Sequence, residues 1–102
     1  MGKNLHISAL LDVYGAFLSD KQRELTDYYY NEDLSLAEIA ENEGITRQGV
    51  RDLIKRAEQT LFSLEEKCRY CERFSRLKEL SSRIKDGDNS VINEITDIIE
   101  EL

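Results

Sequence analysis

The sequence predicts an all-α protein, and three observations carry that expectation. Proline is absent, and 34% of residues are charged while only 8% are aromatic. Apolar residues recur at steps of three and four along most of the chain, the spacing of a half-buried helix. No run alternates β-branched and polar residues as a strand would. The expected order is a helix-turn-helix domain over residues 1–62, then a helical extension over residues 63–102 made of a long helix and a C-terminal amphipathic helix. At 102 residues the two together can close one modest core.

Residues 5–18 read as the first helix, with Ile7, Leu10, Leu11, Tyr14, Phe17 and Leu18 on one stripe for packing. His6 is the single histidine and has no second one for a metal site or a catalytic triad. Ser19, with Gln22 three residues on, has the spacing of a capping box and opens a second helix. Leu25, Tyr28 and Tyr29 follow at i, i+3, i+4. Three consecutive tyrosines point about 100° apart on a helix, so they form no flat stacking platform. Two of them are expected in the core.

Residues 34–61 organise the chain. Ser35 and Glu38 form a second capping box, and Leu36, Ala37, Ile39 and Ala40 give a small apolar face. Gly44 supplies a positive φ, Ile45 plugs the angle, and Thr46 caps the next helix. Val50, Leu53, Ile54 and Ala57 face inward. That leaves Thr46, Arg47, Gln48, Arg51, Asp52, Lys55 and Arg56 as the candidate DNA-binding set. Arg pairs with guanine, Gln with adenine, and the first turn of such a helix enters the major groove. Arg47, Gln48 and Arg51 are assigned to bases, Lys55 and Arg56 to phosphates. Gly49 costs roughly 1 kcal/mol in a helix interior, which close approach to the preceding helix, the favoured reading, or to a DNA backbone would explain.

The formal net charge of −7 weighs against a nucleic-acid partner, but its distribution matters more than its sum. Residues 1–45 carry three Lys/Arg against nine Asp/Glu, residues 46–85 eleven against six, and residues 86–102 none against six. The middle is locally basic and can steer a duplex with strong salt dependence.

From Thr46 no breaker occurs before Asp86-Gly87-Asp88, so the helix is expected to run about 40 residues, or on the order of 60 Å. Ile54, Ala57, Leu61, Leu64, Cys68 and Cys71 step as a heptad seam. Beyond it Phe74, Leu77, Leu80 and Ile84 shift phase, which places a bend near residues 73–75. Cys68-Arg69-Tyr70-Cys71 sits mid-helix in this reading, with no strand before it and no further ligands for zinc. Both thiols are read as packing residues. Ser90 is expected to cap a last helix with Val91, Ile92, Ile95, Ile98, Ile99 and Leu102 on one side and Glu94, Asp97, Glu100 and Glu101 on the other. These stripes outrun the cover available in one chain. Leu61, Leu64, Cys68, Cys71, Phe74, Ile95, Ile98 and Ile99 are therefore expected at a homodimer interface.

Residues 18–23 (Leu-Ser-Asp-Lys-Gln-Arg), Tyr29-Tyr30 and residues 34–40 (Leu-Ser-Leu-Ala-Glu-Ile-Ala) resemble region 4 of bacterial sigma factors. That region binds the −35 promoter element through its helix-turn-helix. Ala9-Leu10-Leu11-Asp12-Val13-Tyr14 and Thr46-Arg47-Gln48-Gly49-Val50, with Asp52, Ile54, Lys55 and Arg56, resemble more closely the small bacterial YlxM family. The resemblance covers nearly the whole chain. It implies a DNA-binding regulator or an accessory protein acting on signal recognition particle components, because that family's genes commonly lie beside those of the particle's GTPases. No nucleophile–base pair, phosphate loop or ligand cluster is visible, so no enzyme activity, cofactor or metal is expected. No stretch approaches the roughly 20 apolar residues of a membrane span, and residues 1–8 lack a signal-peptide core. The expected location is the cytoplasm.

Overall fold

Capping and apolar spacing dictate six α-helices in the computed structural model, which describes residues 5–101 except the side chains of Leu5 and Asn89. They are α1 (Leu5–Tyr14), α2 (Asp20–Tyr30), α3 (Leu36–Glu43), α4 (Arg47–Cys68), α5 (Tyr70–Lys85) and α6 (Ile92–Glu101). Short 3₁₀ turns occupy Gly15–Phe17 and Asn89–Val91, and no strand occurs among the described residues. Contacts divide the chain into two compact units, Met1–Cys68 and Arg69–Leu102. Leu102, expected on the apolar side of the last helix, lies outside the described residues.

In the first unit α4 is the hub, with α1, α2 and α3 all packed on it. Leu25, Ile39, Ala40, Val50 and Ile54 form one buried cluster, flanked by the half-buried Tyr28, Tyr29, Tyr30, Leu34, Leu36 and Leu53. All three tyrosines, rather than two, share the core edge. Ile7, Leu10, Leu11 and Tyr14 of α1 are buried as well, and the Tyr14 hydroxyl donates to Glu65 Oε1 of α4 at 2.6 Å. Two expectations need correction. The first helix ends at Tyr14, not at residue 18, and the 3₁₀ turn that follows rotates Phe17 out to 71% exposure while Leu18 stays buried. Ala37 is exposed because α3 presents only Ile39 and Ala40 squarely to α4.

The expected 40-residue helix is two helices, of 22 and 16 residues. The break falls at Arg69 (φ 57°, ψ 26°), earlier than the bend read from the apolar phase. A left-handed arginine costs roughly 1–2 kcal/mol. Around it the Arg73 N–H donates to the Arg69 carbonyl at 3.1 Å, and Arg69 Nε pairs with Glu72 at 3.1 Å, which restarts the helix. Periodicity registers that the phase changes somewhere; it does not say which peptide turns. The cysteine pair is consequently not mid-helix: Cys68 is the last residue of α4 and Cys71 the second of α5.

The second unit is small. Leu80, Val91 and Ile98 form its buried cluster, with Leu77 and Ile95 against it. Arg83 reaches both Asp88 (3.0 Å) and Glu94 (3.3 Å), and Arg76 reaches Glu94 at 3.5 Å. The expected Ser90 cap is replaced by Asp88, whose Oδ1 accepts from the Ser90 N–H at 3.0 Å and from its hydroxyl at 2.5 Å. Ser90 itself lies inside the 3₁₀ turn. Carboxylates accept backbone N–H groups at helix starts at least as well as hydroxyls, so the residue two places earlier takes the role. The interface set read from the sequence also changes. Leu61, Cys71 and Ile98 are buried and offer nothing to a second chain, whereas Phe74 and Ile99 are 44% and 58% exposed.

Candidate nucleic-acid interface

Each step of the turn between α3 and α4 has a local cause. The Ser35 hydroxyl accepts from the Glu38 N–H at 3.1 Å while the Glu38 carboxylate accepts from the Ser35 N–H at 3.2 Å, which fixes the start of α3. Gly44 ends it at φ 69°, a left-handed conformation that only glycine adopts without cost. Thr46 Oγ1 then accepts from the Gly49 N–H at 2.9 Å and starts α4. A Cβ on Gly49 would lie 3.1 Å from that same Oγ1 and 3.9 Å from Ile45 Cδ1, with no atom of α3 among its nearest neighbours. The glycine therefore accommodates its own cap, not the preceding helix. Ile45 does not plug the angle, since it is 43% exposed.

Val50, Ile54, Ala57 and Leu61 bury one side of α4 completely or nearly so. Thr46, Arg47, Gln48, Arg51, Asp52, Lys55 and Arg56 are all exposed. A 3.6-residue period places Gln48, Asp52, Lys55 and Arg56 away from the apolar stripe and Arg51 on its flank, while Thr46 and Arg47 are exposed at the helix start, on the stripe's side. Within that surface the Gln48 Nε2–H donates to Asp52 Oδ1 at 2.8 Å.

Two polar contacts join α2 to the motif and a third lies within α2, and sequence reading missed all of them. Lys21 Nζ of α2 lies 2.7 Å from Glu43 Oε1, so the acidic residue before the turn has a cation where an apolar residue would otherwise be usual. The hydrogen bond to Glu43 is the main reason the Lys21 ammonium titrates above its ordinary range. The Tyr30 hydroxyl donates to Glu58 of α4, and burial followed by that carboxylate pushes the phenol's pKa up, so it stays a neutral donor at physiological pH. Tyr28 donates to Glu24 at 2.9 Å, which also raises its pKa. Tyr28–Glu24 has i, i+4 spacing and was legible; the other two join residues 22 and 28 positions apart. Tyr29 and Tyr30 meet edge to face, 5.0 Å between ring centres, beside a shallow crevice of about 260 Å³ that also touches Arg51 and Lys55.

A helix-turn-helix with a donor-rich second helix is the decisive feature, and residues 1–101 match a family model described as "Putative helix-turn-helix protein, YlxM / p13 like". The chain belongs to that family, UPF0122. A UPF0122 protein of Clostridium kluyveri is 42% identical over 94 residues, covering 92% of this chain and 85% of the relative. One from Thermoanaerobacter sp. (strain X514) is 43% identical over 103 aligned positions, covering 96% and 88%. One from Malacoplasma penetrans is 45% identical over 83, covering 80% and 77%. The resemblance to YlxM and the all-α helix-turn-helix class are therefore established. Among the described residues no helix is long and apolar enough to cross a membrane, and no three His, Cys, Asp or Glu residues converge as a metal site would require.

Proposed function

We propose that this protein binds duplex DNA through the exposed face of α4 and acts as a transcription regulator of the sigma-region-4 kind. One observation carries the reading: Gln48, Lys55 and Arg56 are accessible on the side of α4 away from its buried stripe, with Arg51 exposed on the flank and Thr46 and Arg47 exposed at the helix start. Cations and amides in that position complement phosphates and base edges. Fluorescence anisotropy with duplexes selected from a random pool, and with scrambled controls, tests it. Changing Arg51 and Lys55 together to alanine should weaken binding to every duplex and flatten the logarithmic salt dependence by about two. Binding no tighter than millimolar at low salt, with no sequence enriched, would refute it.

A second reading keeps the fold but assigns it to signal recognition particle components, through protein or RNA. The net charge of −7 and the exposed Asp52 favour it. Capture of those components by a protein that enriches no duplex would distinguish the two. Under either reading we propose a homodimer through the exposed apolar residues of the second unit, Phe74, Ile92 and Ile99. Sedimentation should give twice the chain mass at micromolar concentration, and Ile99→Asp should reduce it to the monomer.

A further inference from the structure

The exposed side chains of α4 do not stand equally far from the core. Val50, Ile54, Ala57 and Leu61 fix the inward direction. With about 100° between successive residues, Asp52 lies roughly 10° and Gln48 roughly 30° from the direction opposite that stripe. Arg56 and Lys55 stand about 50° to either side, Arg51 about 90° round, and Arg47 further still. A helix lying in the major groove brings its outermost line closest to the base edges, while its flanks face the two phosphate chains.

The outermost line holds a carboxylate. Asp52 cannot serve as a phosphate contact, because its charge repels the polyanion. It needs a donor, and in the major groove the base-edge donors are the amino groups of cytosine and adenine. Gln48 gives one N–H to Asp52 Oδ1 at 2.8 Å, and this hydrogen bond holds both side chains in place. The amide keeps Oε1 and a second N–H, the acceptor and donor that match adenine N6 and N7. The carboxylate keeps Oδ2 for cytosine N4.

Building on the reading that α4 enters the major groove, we infer that the Gln48–Asp52 pair is the base-reading unit, selecting adenine and a nearby cytosine. Arg47 and Arg51 then hold the flanking phosphates. This replaces the assignment of both arginines to bases that composition alone gave. Asp52 also acts as a charge filter, weakening binding to any duplex that presents no amino group to it.

The test is selection from a random duplex pool by the full chain, followed by anisotropy, with circular dichroism of each variant confirming the fold. The wild type should enrich a motif holding adenine within a base step or two of cytosine. Gln48→Ala should lose the adenine preference about tenfold and keep the cytosine. Asp52→Ala should lose the cytosine and bind scrambled duplexes several-fold more tightly. Asp52→Asn should show the same gain on scrambled DNA and exchange cytosine for adenine, since an amide pairs with that base. A wild-type motif unchanged in the Gln48 and Asp52 variants but altered by Arg47→Ala would overturn the inference and leave DNA binding standing. A wild type that enriches nothing and binds no duplex at low salt would overturn both.

Discussion

The two compact units reach stability by different routes. The first packs three helices around α4, and Leu10, Leu25, Ile39, Val50, Ala57 and Leu61 are all completely or almost completely excluded from water. Among the described residues the second has a smaller buried cluster, Leu80, Val91 and Ile98, and carries a web of arginine–carboxylate contacts centred on Arg83 and Glu94. Exposed pairs of that kind contribute little, commonly under about 1 kcal/mol each. Burial therefore makes the first unit the more rigid and the second the more easily opened of the two.

That contrast is sharpest in the core. Ile39→Ala should destabilise the first unit by about 2–5 kcal/mol in urea titration, and it should abolish any duplex binding as α3 loses its seat. Leu80→Ala should act locally: hydrogen exchange should quicken over residues 70–101 and stay unchanged over α1–α4. Exchange that quickens equally throughout would break the distinction and make the chain one cooperative body.

Next in size are the features that shape the turn. Gly44→Ala places a Cβ at φ 69° and should cost about 1–2 kcal/mol. Ser35→Ala removes a reciprocal cap and should cost about 1 kcal/mol. Thermal denaturation of each variant checks both values, and a neutral Ser35→Ala would show that packing alone holds the start of α3.

The smallest expected effect is a pH response confined to the second unit. Ser90, through its hydroxyl and its N–H, and then Arg83 hold the Asp88 carboxyl below its ordinary value of 3.8. Because the folded value is the lower one, the stabilisation is present above pH 3.8 and is lost as pH falls through the folded pKa. Hydrogen exchange should quicken around Asp88 and α6 below about pH 4, and Asp88→Asn should remove that response. An identical acid profile in the variant would mean that other carboxylates dominate.

Local chemistry alone determined much of this protein. The capping boxes at Ser19 and Ser35, the Thr46 cap, the glycine at the turn and the inward set Val50, Leu53, Ile54 and Ala57 stand where their spacing put them. Each depends on residues no more than about one helical turn apart, which a sequence displays directly. The accessible face of α4 follows from the same periodicity.

Tertiary structure decided the rest. Lys21–Glu43, Tyr30–Glu58 and Tyr14–Glu65 join residues 22, 28 and 51 positions apart, and no spacing rule connects them. Phe17 turns outward because a 3₁₀ turn, not a continued helix, follows Tyr14. The three-and-four steps that led through Cys68 to Cys71 predicted one continuous seam, yet the chain breaks at Arg69 between them. An apolar pattern records which residues seek cover, but whether one long helix or two shorter ones supplies it depends on which alternative buries more surface for the backbone strain it incurs, and that balance exists only in the folded molecule.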